Sequence, residues 1–231
     1  MSARARPLAA ALLCALAACR DPAAPQLYAV HRARGPIKAD GRLDEPAWRD
    51  AGWTYDFVRS LDARPTLQRT RAKLLYDDER LYVGFEVTDD YLVTPFRKDD
   101  EPLYTSEVVE IFLQPGEASG APMYYEVELS PNDLVFDASF TGRRQGMQLA
   151  WSSGAKHGVL LGGVTPGWTG ELAIAFASLA PHAPPRPGDT WRFDLYRLDV
   201  DAQGRTEGQA LSAPLVGDFH NLARFAFLRF E

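Results

Sequence analysis

Along most of this chain apolar residues recur at every second position, the period of a half-buried strand and not of a helix. Arg80 to Thr88 (RLYVGFEVT) sets Leu81, Val83, Phe85 and Val87 on one face. Thr70 to Tyr76 (TRAKLLY) alternates in part, and the polar turn Asp77-Asp78-Glu79 separates the two runs, so together they predict a β-hairpin. Glu107 to Leu113 (EVVEIFL) is rich in β-branched residues and stops at Gln114-Pro115-Gly116. Further strands are expected at Tyr124 to Leu129 (YYEVEL), Leu134 to Phe140, Leu149 to Trp151, Gly158 to Leu161, Thr169 to Ala175, Thr190 to Val200 and Phe225 to Phe230. Turn signals such as Pro131-Asn132-Asp133 and Arg186-Pro187-Gly188 punctuate them. Short strands with frequent turns predict an all-β fold, an antiparallel, jelly-roll-like β-sandwich. Two stretches read as short helical turns. Asp44 to Ala51 offers Asp44 as an N-cap, Pro46 in the first turn and Trp48 to bury; Phe176 to Leu179 is the other.

The start of the chain follows a different pattern. Arg4 and Arg6 precede an uncharged run, Pro7 to Ala18 (PLAAALLCALAA), in the manner of a secretory signal. The run is shorter than the roughly 20 residues a membrane-spanning helix needs. Leu16-Ala17-Ala18-Cys19 resembles a bacterial lipobox, in which Cys19 is lipidated and becomes the first mature residue. The alternative is an ordinary signal peptide that contains cysteines. On the lipobox reading residues 1–18 are the signal, 19–34 hold the lipidated cysteine and a Pro/Ala tether, and 35–231 form the folded domain. Lipid chains would then hold the protein to a membrane of the bacterial envelope without a spanning helix. Arg20 in place of an aspartate directs the expectation to the outer membrane.

Composition alters this picture in one respect. The two cysteines, Cys14 and Cys19, would permit one disulfide in the whole chain but none in a mature domain that has lost the first and lipidated the second. Losing Arg4 and Arg6 also takes the formal charge from −6 to −8. An acidic chain with no basic stripe argues against a nucleic-acid partner. Catalytic motifs are absent too: there is no nucleophile elbow, zinc-binding His pair or phosphate loop. Glu107 and Glu110 should face opposite sides of their strand, a poor arrangement for two carboxylates that share one bond. Glu126 and Glu128 share a face, as in an ordinary half-exposed strand. The reading is therefore a protein that is not an enzyme.

Several segments resemble one known family, in order along the chain. They are Ile37 to Trp48 (IKADGRLDEPAW), Lys73 to Val87, Glu107 to Leu113, Tyr125 to Asn132 (YEVELSPN), Gly167 to Ile174 (GWTGELAI), Gly188 to Asp199 (GDTWRFDLYRLD) and Gly217 to Phe230. The chain is similar here to carbohydrate-binding module family 9, a DOMON-like β-sandwich. The resemblance implies a non-catalytic module whose partner is a polysaccharide or oligosaccharide, with a sugar ring stacked between two aromatic side chains. Any hydrolase activity would lie on a partner enzyme. By motif position the aromatics fall at Tyr104 and Phe219, where sugar-binding members carry tryptophan. The family's arginine in the YYEVEL strand is replaced by Glu128, and its glutamine in the penultimate segment by Tyr196. Arg97, Arg197, Asp218 and His220 complete the polar neighbours the resemblance offers.

Two alternatives follow from the same residues. The altered polar set suits an envelope adaptor that keeps the fold and uses its surface for a protein partner. DOMON-like relatives also include haem modules, for which Met123, Met147 and His220 are the available ligands; haem is the weaker expectation. No cofactor is required on the main reading. Structural calcium is a further expectation, because family relatives bind it and turn acids supply oxygen ligands. Asp77, Asp78, Asp89 and Asp90 are the residues placed for it.

Overall fold

The computed structural model describes residue 21, residues 23–116 and residues 120–231. Cys14, Cys19 and the signal-like segment lie outside the described residues. The strands are β1 (Leu27–Arg32), β2 (Val58–Arg59), β3 (Thr70–Tyr76), β4 (Arg80–Thr88), β5 (Val108–Gln114), β6 (Tyr124–Leu129), β7 (Val135–Phe140), β8 (Lys156–Leu161), β9 (Gly167–Ala175), β10 (Thr190–Val200), β11 (Thr206–Ala210) and β12 (Ala226–Phe230). The front sheet runs β7-β6-β5-β10-β12-β1 and the back sheet β1-β3-β4-β9-β8. Strand β1 belongs to both. Leu27 to Val30 pair in parallel with β12, and His31 and Arg32 then pair in parallel with β3. Strand β11 extends the front sheet beside the second half of β10 and in turn pairs with β2.

Alternation along the strands fills the space between the sheets. Val109, Ile111 and Leu113 of β5, Tyr125, Val127 and Leu129 of β6, and Phe193 and Leu195 of β10 meet Leu81, Val83, Phe85 and Val87 of β4 and Trp168, Leu172 and Ile174 of β9. Each such side chain contributes about 1.5–3 kcal/mol when fully buried, which makes this layer the main source of stability. The predicted hairpin forms in full, with Thr70 opposite Val87 and Tyr76 opposite Leu81. Its turn is fixed by Asp77, whose carboxylate accepts the Glu79 and Arg80 amides at 2.8 Å each and the Tyr82 hydroxyl at 2.7 Å.

A second layer covers the outer face of the back sheet. Residues 37–51 cross it, and Trp48 packs there on Leu75, Tyr82 and Ala173. Glu171 on β9 ties this segment down. Its Oε2 accepts the backbone amides of Asp40, Gly41 and Arg42, and its Oε1 accepts the Trp48 indole N–H at 2.8 Å. Gly41 has φ of 83°, and a Cβ there would lie 2.6 Å from the backbone of β8, so only glycine lets the chain pass this close.

Four details differ from the sequence reading. The segment read as tether contributes β1, whose pattern is nearly all exposed, with Val30 its one buried residue. Strands β2 and β11 were not anticipated, the first being two residues long and the second polar with a central glycine. Leu149 to Trp151 is not a strand: Trp151 is held instead by its indole N–H on the Ser178 carbonyl at 2.9 Å. The first helical turn is a 3-10 turn, Pro46–Arg49, entered from Glu45 and with no side-chain cap from Asp44.

Candidate functional site

The outer face of the front sheet carries acids and aromatics where a sandwich exposed to water would carry mixed polar residues. Cross-strand register sets them in two rows. Tyr196, Glu110, Glu128 and Phe136 lie side by side across β10, β5, β6 and β7, and Asp194, Phe112, Glu126 and Ala138 form the adjacent row. Aromatic packing shields both rows: Tyr124 stacks on Phe140 at 4.7 Å, and Phe112 meets Tyr196 edge-on at 5.2 Å.

A cavity of about 570 Å³ opens over these rows, floored by Glu110, Phe112 and Glu126. Tyr104 and Phe219 both line it. Tyr104 sits on the 3-10 turn Leu103–Thr105. Leu103 is buried and anchors that turn, which leaves Tyr104 outside, 45% exposed, with its ring edge-on to Phe136 at 5.2 Å. Phe219 lies in the loop before the last strand. Asp218 pins that loop by accepting Arg143 Nη2 at 2.6 Å, Arg144 Nε at 2.9 Å and the His220 amide at 3.0 Å. Burial alone would raise the Asp218 pKa; these three donors outweigh it and hold the carboxyl below the usual range.

His220 lines the cavity as well, its Nδ1 2.8 Å from the Tyr124 hydroxyl. Burial, with Arg144 nearby, pushes it down to about 4, so the imidazole is neutral at physiological pH. Arg144 and Met147 complete the rim, whereas Met123 does not line the cavity.

The floor departs most from the sequence reading. Glu126 and Glu128, read as a half-exposed face, are 4% and 0% exposed. One oxygen each from Glu110, Glu126 and Glu128 lies within 4.8 Å of the others. Burial raises all three acids, Glu110 and Glu128 well above the ordinary range and Glu126 to about 7. Burial also keeps the neighbouring Asp194 high, against the hydrogen bonds it accepts from the Leu195 and Ser212 amides. The sequence signal for the floor was parity, since Glu110, Phe112, Tyr124, Glu126 and Glu128 all take the face opposite the core positions of their strands.

Of the six expected polar neighbours only His220 lines the cavity; Glu128 lies buried beside its floor and Asp218 behind its rim, and the two arginines lie elsewhere. Arg97 is at the surface, its guanidinium on the Thr94 and Phe96 carbonyls. Arg197 is wholly buried, on the core side of β10. Its Nη2 meets Asp89 at 2.7 Å, Asp199 at 2.8 Å and Glu107 at 3.6 Å. Tyr196 reaches the site only from beneath, through Phe219.

The acids placed for calcium are also separated. Asp77 and Asp78 lie at one end of β4 and Asp89 and Asp90 at the other, on the order of 30 Å apart along the strand. Each already has a protein partner: Asp77 its turn, Asp78 the Arg32 guanidinium, Asp89 Arg197 and Asp90 the Gln68 amide. Asp89, Glu107 and Asp199 do converge, but around the Arg197 guanidinium.

A β-sandwich with an aromatic-walled cavity on one sheet defines a ligand-binding module. The carbohydrate family 9 binding domain-like family matches residues 39–228, and the chain belongs to it. This is a non-catalytic carbohydrate-binding module family, so the chain is a carbohydrate-binding domain and not an enzyme. No curated protein matches. Among solved structures, a carbohydrate-binding module of family 9 from Caldicellulosiruptor kristjanssonii, in complex with cellotriose, is similar at 20% identity and TM-score 0.65, covering 89% of this chain and 94% of that one. Another structure of a family 9 module from that organism, with glucose, gives 20% identity and TM-score 0.63 over 88% and 95%. A candidate carbohydrate-binding protein from Bacteroides uniformis gives 16% and 0.71 over 90% and 100%.

Proposed function

We propose that the cavity on the front sheet holds one sugar ring, with Tyr104 and Phe219 as its aromatic walls. The observation that carries this reading is their meeting in one cavity from distant parts of the chain. Aromatic faces suit the C–H face of a sugar, and the acids below supply hydrogen bonds to its hydroxyls. The cellotriose and glucose complexes of similar modules support sugar as the ligand class. Lipidation of Cys19 would hold the module at the envelope, facing its glycan, where a weak binder gains from staying close. The test is affinity electrophoresis and a glycan array with Tyr104→Ala and Phe219→Ala. Loss of retention in both variants is expected; retention unchanged in both would sink the site. Labelling with radioactive palmitate, with Cys19→Ser as control, tests the anchor.

One observation favours an envelope adaptor as a second reading. The position of the family's sugar-reading arginine holds a buried acid, Glu128, and neither Arg97 nor Arg197 replaces it in the cavity. A silent glycan array together with one recovered envelope partner would support the adaptor.

A further inference from the structure

The segment just after Cys19 is docked on the domain. Asp21 accepts the Ala23 amide on its carboxylate at 2.9 Å and the Ala24 amide on its carbonyl at 3.1 Å. Ala23 packs on Val58, Ala63 and Ala213. Arg224 clamps it there, donating through Nη2 to the Ala23 carbonyl and through Nε, at 3.2 Å, to the Ala213 carbonyl. Cys19 precedes Asp21 by two residues, which span at most about 7 Å. A lipid on Cys19 would therefore leave the domain beside Ala23, and not at the end of a long tether.

The two loops that hold Ala23 are apolar at the surface. The Leu215 amide donates to the Ser60 carbonyl at 2.8 Å, which brings residues 58–63 and 213–217 together. Leu61, Leu215 and Val216 are each more than two-fifths exposed. Leu215 has φ of 57°, a left-handed backbone that glycine or asparagine adopts more readily, yet it carries an exposed leucine. Single exposed apolar residues are ordinary on a protein surface, whereas three on two joined loops form a patch. Asp62, the acid of this turn, is held between Arg59 and Arg64, so the turn brings no net negative charge to a headgroup surface.

Resting on the lipidation of Cys19 proposed above, we infer that Leu61, Leu215 and Val216 insert into the bilayer that holds the lipid, so that the domain lies against the membrane by this face. The short connection selects the occupant. With the anchor within about 7 Å of Asp21, the bilayer interface is the surface these loops meet first. Apolar side chains buried at the headgroup boundary strengthen attachment with the area they bury. Leu61 also lines the sugar cavity. The cavity therefore opens beside the bilayer, and a glycan is bound where it meets the membrane.

A single introduced cysteine can test this, because the mature chain has no free thiol once Cys19 is lipidated. The lipidated protein is purified from membranes and reconstituted in vesicles of phosphatidylethanolamine and phosphatidylglycerol. An environment-sensitive dye is attached at Leu61→Cys, at Val216→Cys or at Glu79→Cys. Glu79 is the distant control. Strand β3 starts beside the loops, where the Thr70 hydroxyl bonds Gln209, the partner of Arg59. It ends at the Glu79 turn, roughly 20 Å away along the strand. Blue-shifted emission and quenching by doxyl-labelled lipid are expected at positions 61 and 216, and neither at position 79. Adding Leu215→Asn and Val216→Glu to Leu61→Cys should abolish its quenching while the protein still floats with the vesicles. Quenching no greater at 61 and 216 than at 79 would overturn the membrane face with the anchor intact, as would quenching at 61 that survives the two added substitutions. Protein that does not float at all would remove the anchor, and the inference with it.

Discussion

Phe219 lies flat on Tyr196, ring centroids 4.3 Å apart and planes 6° from parallel. One face of Phe219 is thus spent on the protein, and its exposed side is set before any ligand arrives. Tyr196 is itself fixed, since its hydroxyl reaches Asp194 Oδ2 at 3.2 Å and it stands edge-on to Phe112. Preorganisation of this kind lowers the cost of ordering a side chain on binding, about 0.5–1.5 kcal/mol for each one immobilised. Phe219→Leu keeps the apolar volume but removes the flat face. It should weaken sugar binding roughly tenfold, with a change in Tm of only a few degrees. Affinity electrophoresis beside a thermal melt checks this; full retention with Phe219→Leu would show that stacking contributes nothing.

Arg197 stands where a metal ion could have stood. Among the described residues its guanidinium is the one cation paired with Asp89, Glu107 and Asp199. Glu107 is pushed up to about 8 by burial even so, with Arg197 opposing the rise. Removing one partner from a buried ionic cluster costs about 3–5 kcal/mol, because the others stay buried without compensation. Arg197→Ala should therefore lower Tm by roughly 10 °C or more. The freed carboxylates should then accept calcium, so millimolar calcium should raise the Tm of the variant and leave this cluster in the wild type unaffected. Melts with calcium and with EDTA measure both. Calcium that stabilised the two proteins equally would place its site away from Arg197.

The acids under the cavity give stability a pH dependence of unusual sign. An acid with a raised folded pKa binds more protons folded than unfolded, so stability falls as pH climbs from its ordinary value through the folded one. For Glu126 that window runs from 4.5 to about 7, and Glu110 and Glu128 extend it upward. His220 acts oppositely. With a pKa lowered from 6.5 to about 4, it adds stability as pH rises between those values and is silent above them. A fall in Tm between about pH 6.5 and 8 therefore reports the carboxylates, with Glu107 contributing in the same direction. Glu128→Gln should flatten that fall and be more stable than wild type near pH 8, by ~1.4 kcal/mol or roughly 3–5 °C. Parallel slopes in the two proteins would show that Glu128 ionises freely.

The alternating strands were legible because the face each turns to the core is apolar, and β4 shows this best with Leu81, Val83, Phe85 and Val87. Strand β1 was not, because it derives its place from two edges and buries only Val30, leaving no period to read. The aromatic walls came from motif position: nothing in the local pattern distinguishes Tyr104 from any loop tyrosine. Arg197 could have been excluded from the cavity by counting, since it shares parity with Phe193 and Leu195. Glu128 could not have been placed so simply. Alternation gives its face, but whether that face is wet depends on Tyr104, Phe136 and the loop around Arg144, which come together only in three dimensions.

Glu171 offers a test of how the opening segment is held. Its carboxylate accepts four N–H groups, three from the backbone of residues 40–42 and one from Trp48. Glu171→Ala should cost about 3–4 kcal/mol, because buried donors lose a charged acceptor. Glu171→Gln is more informative. A glutamine has one acceptor oxygen, and the three backbone amides need it; its NH₂ then faces the Trp48 indole N–H, donor against donor. Trp48→Phe removes that N–H while keeping an aromatic in the cluster with Leu75 and Tyr82. The double variant should therefore lose less than the sum of the two single variants, with a coupling of about 1 kcal/mol or more in denaturant unfolding. Strict additivity would mean that the indole bond is dispensable, and that the three backbone amides alone fix the segment over β9.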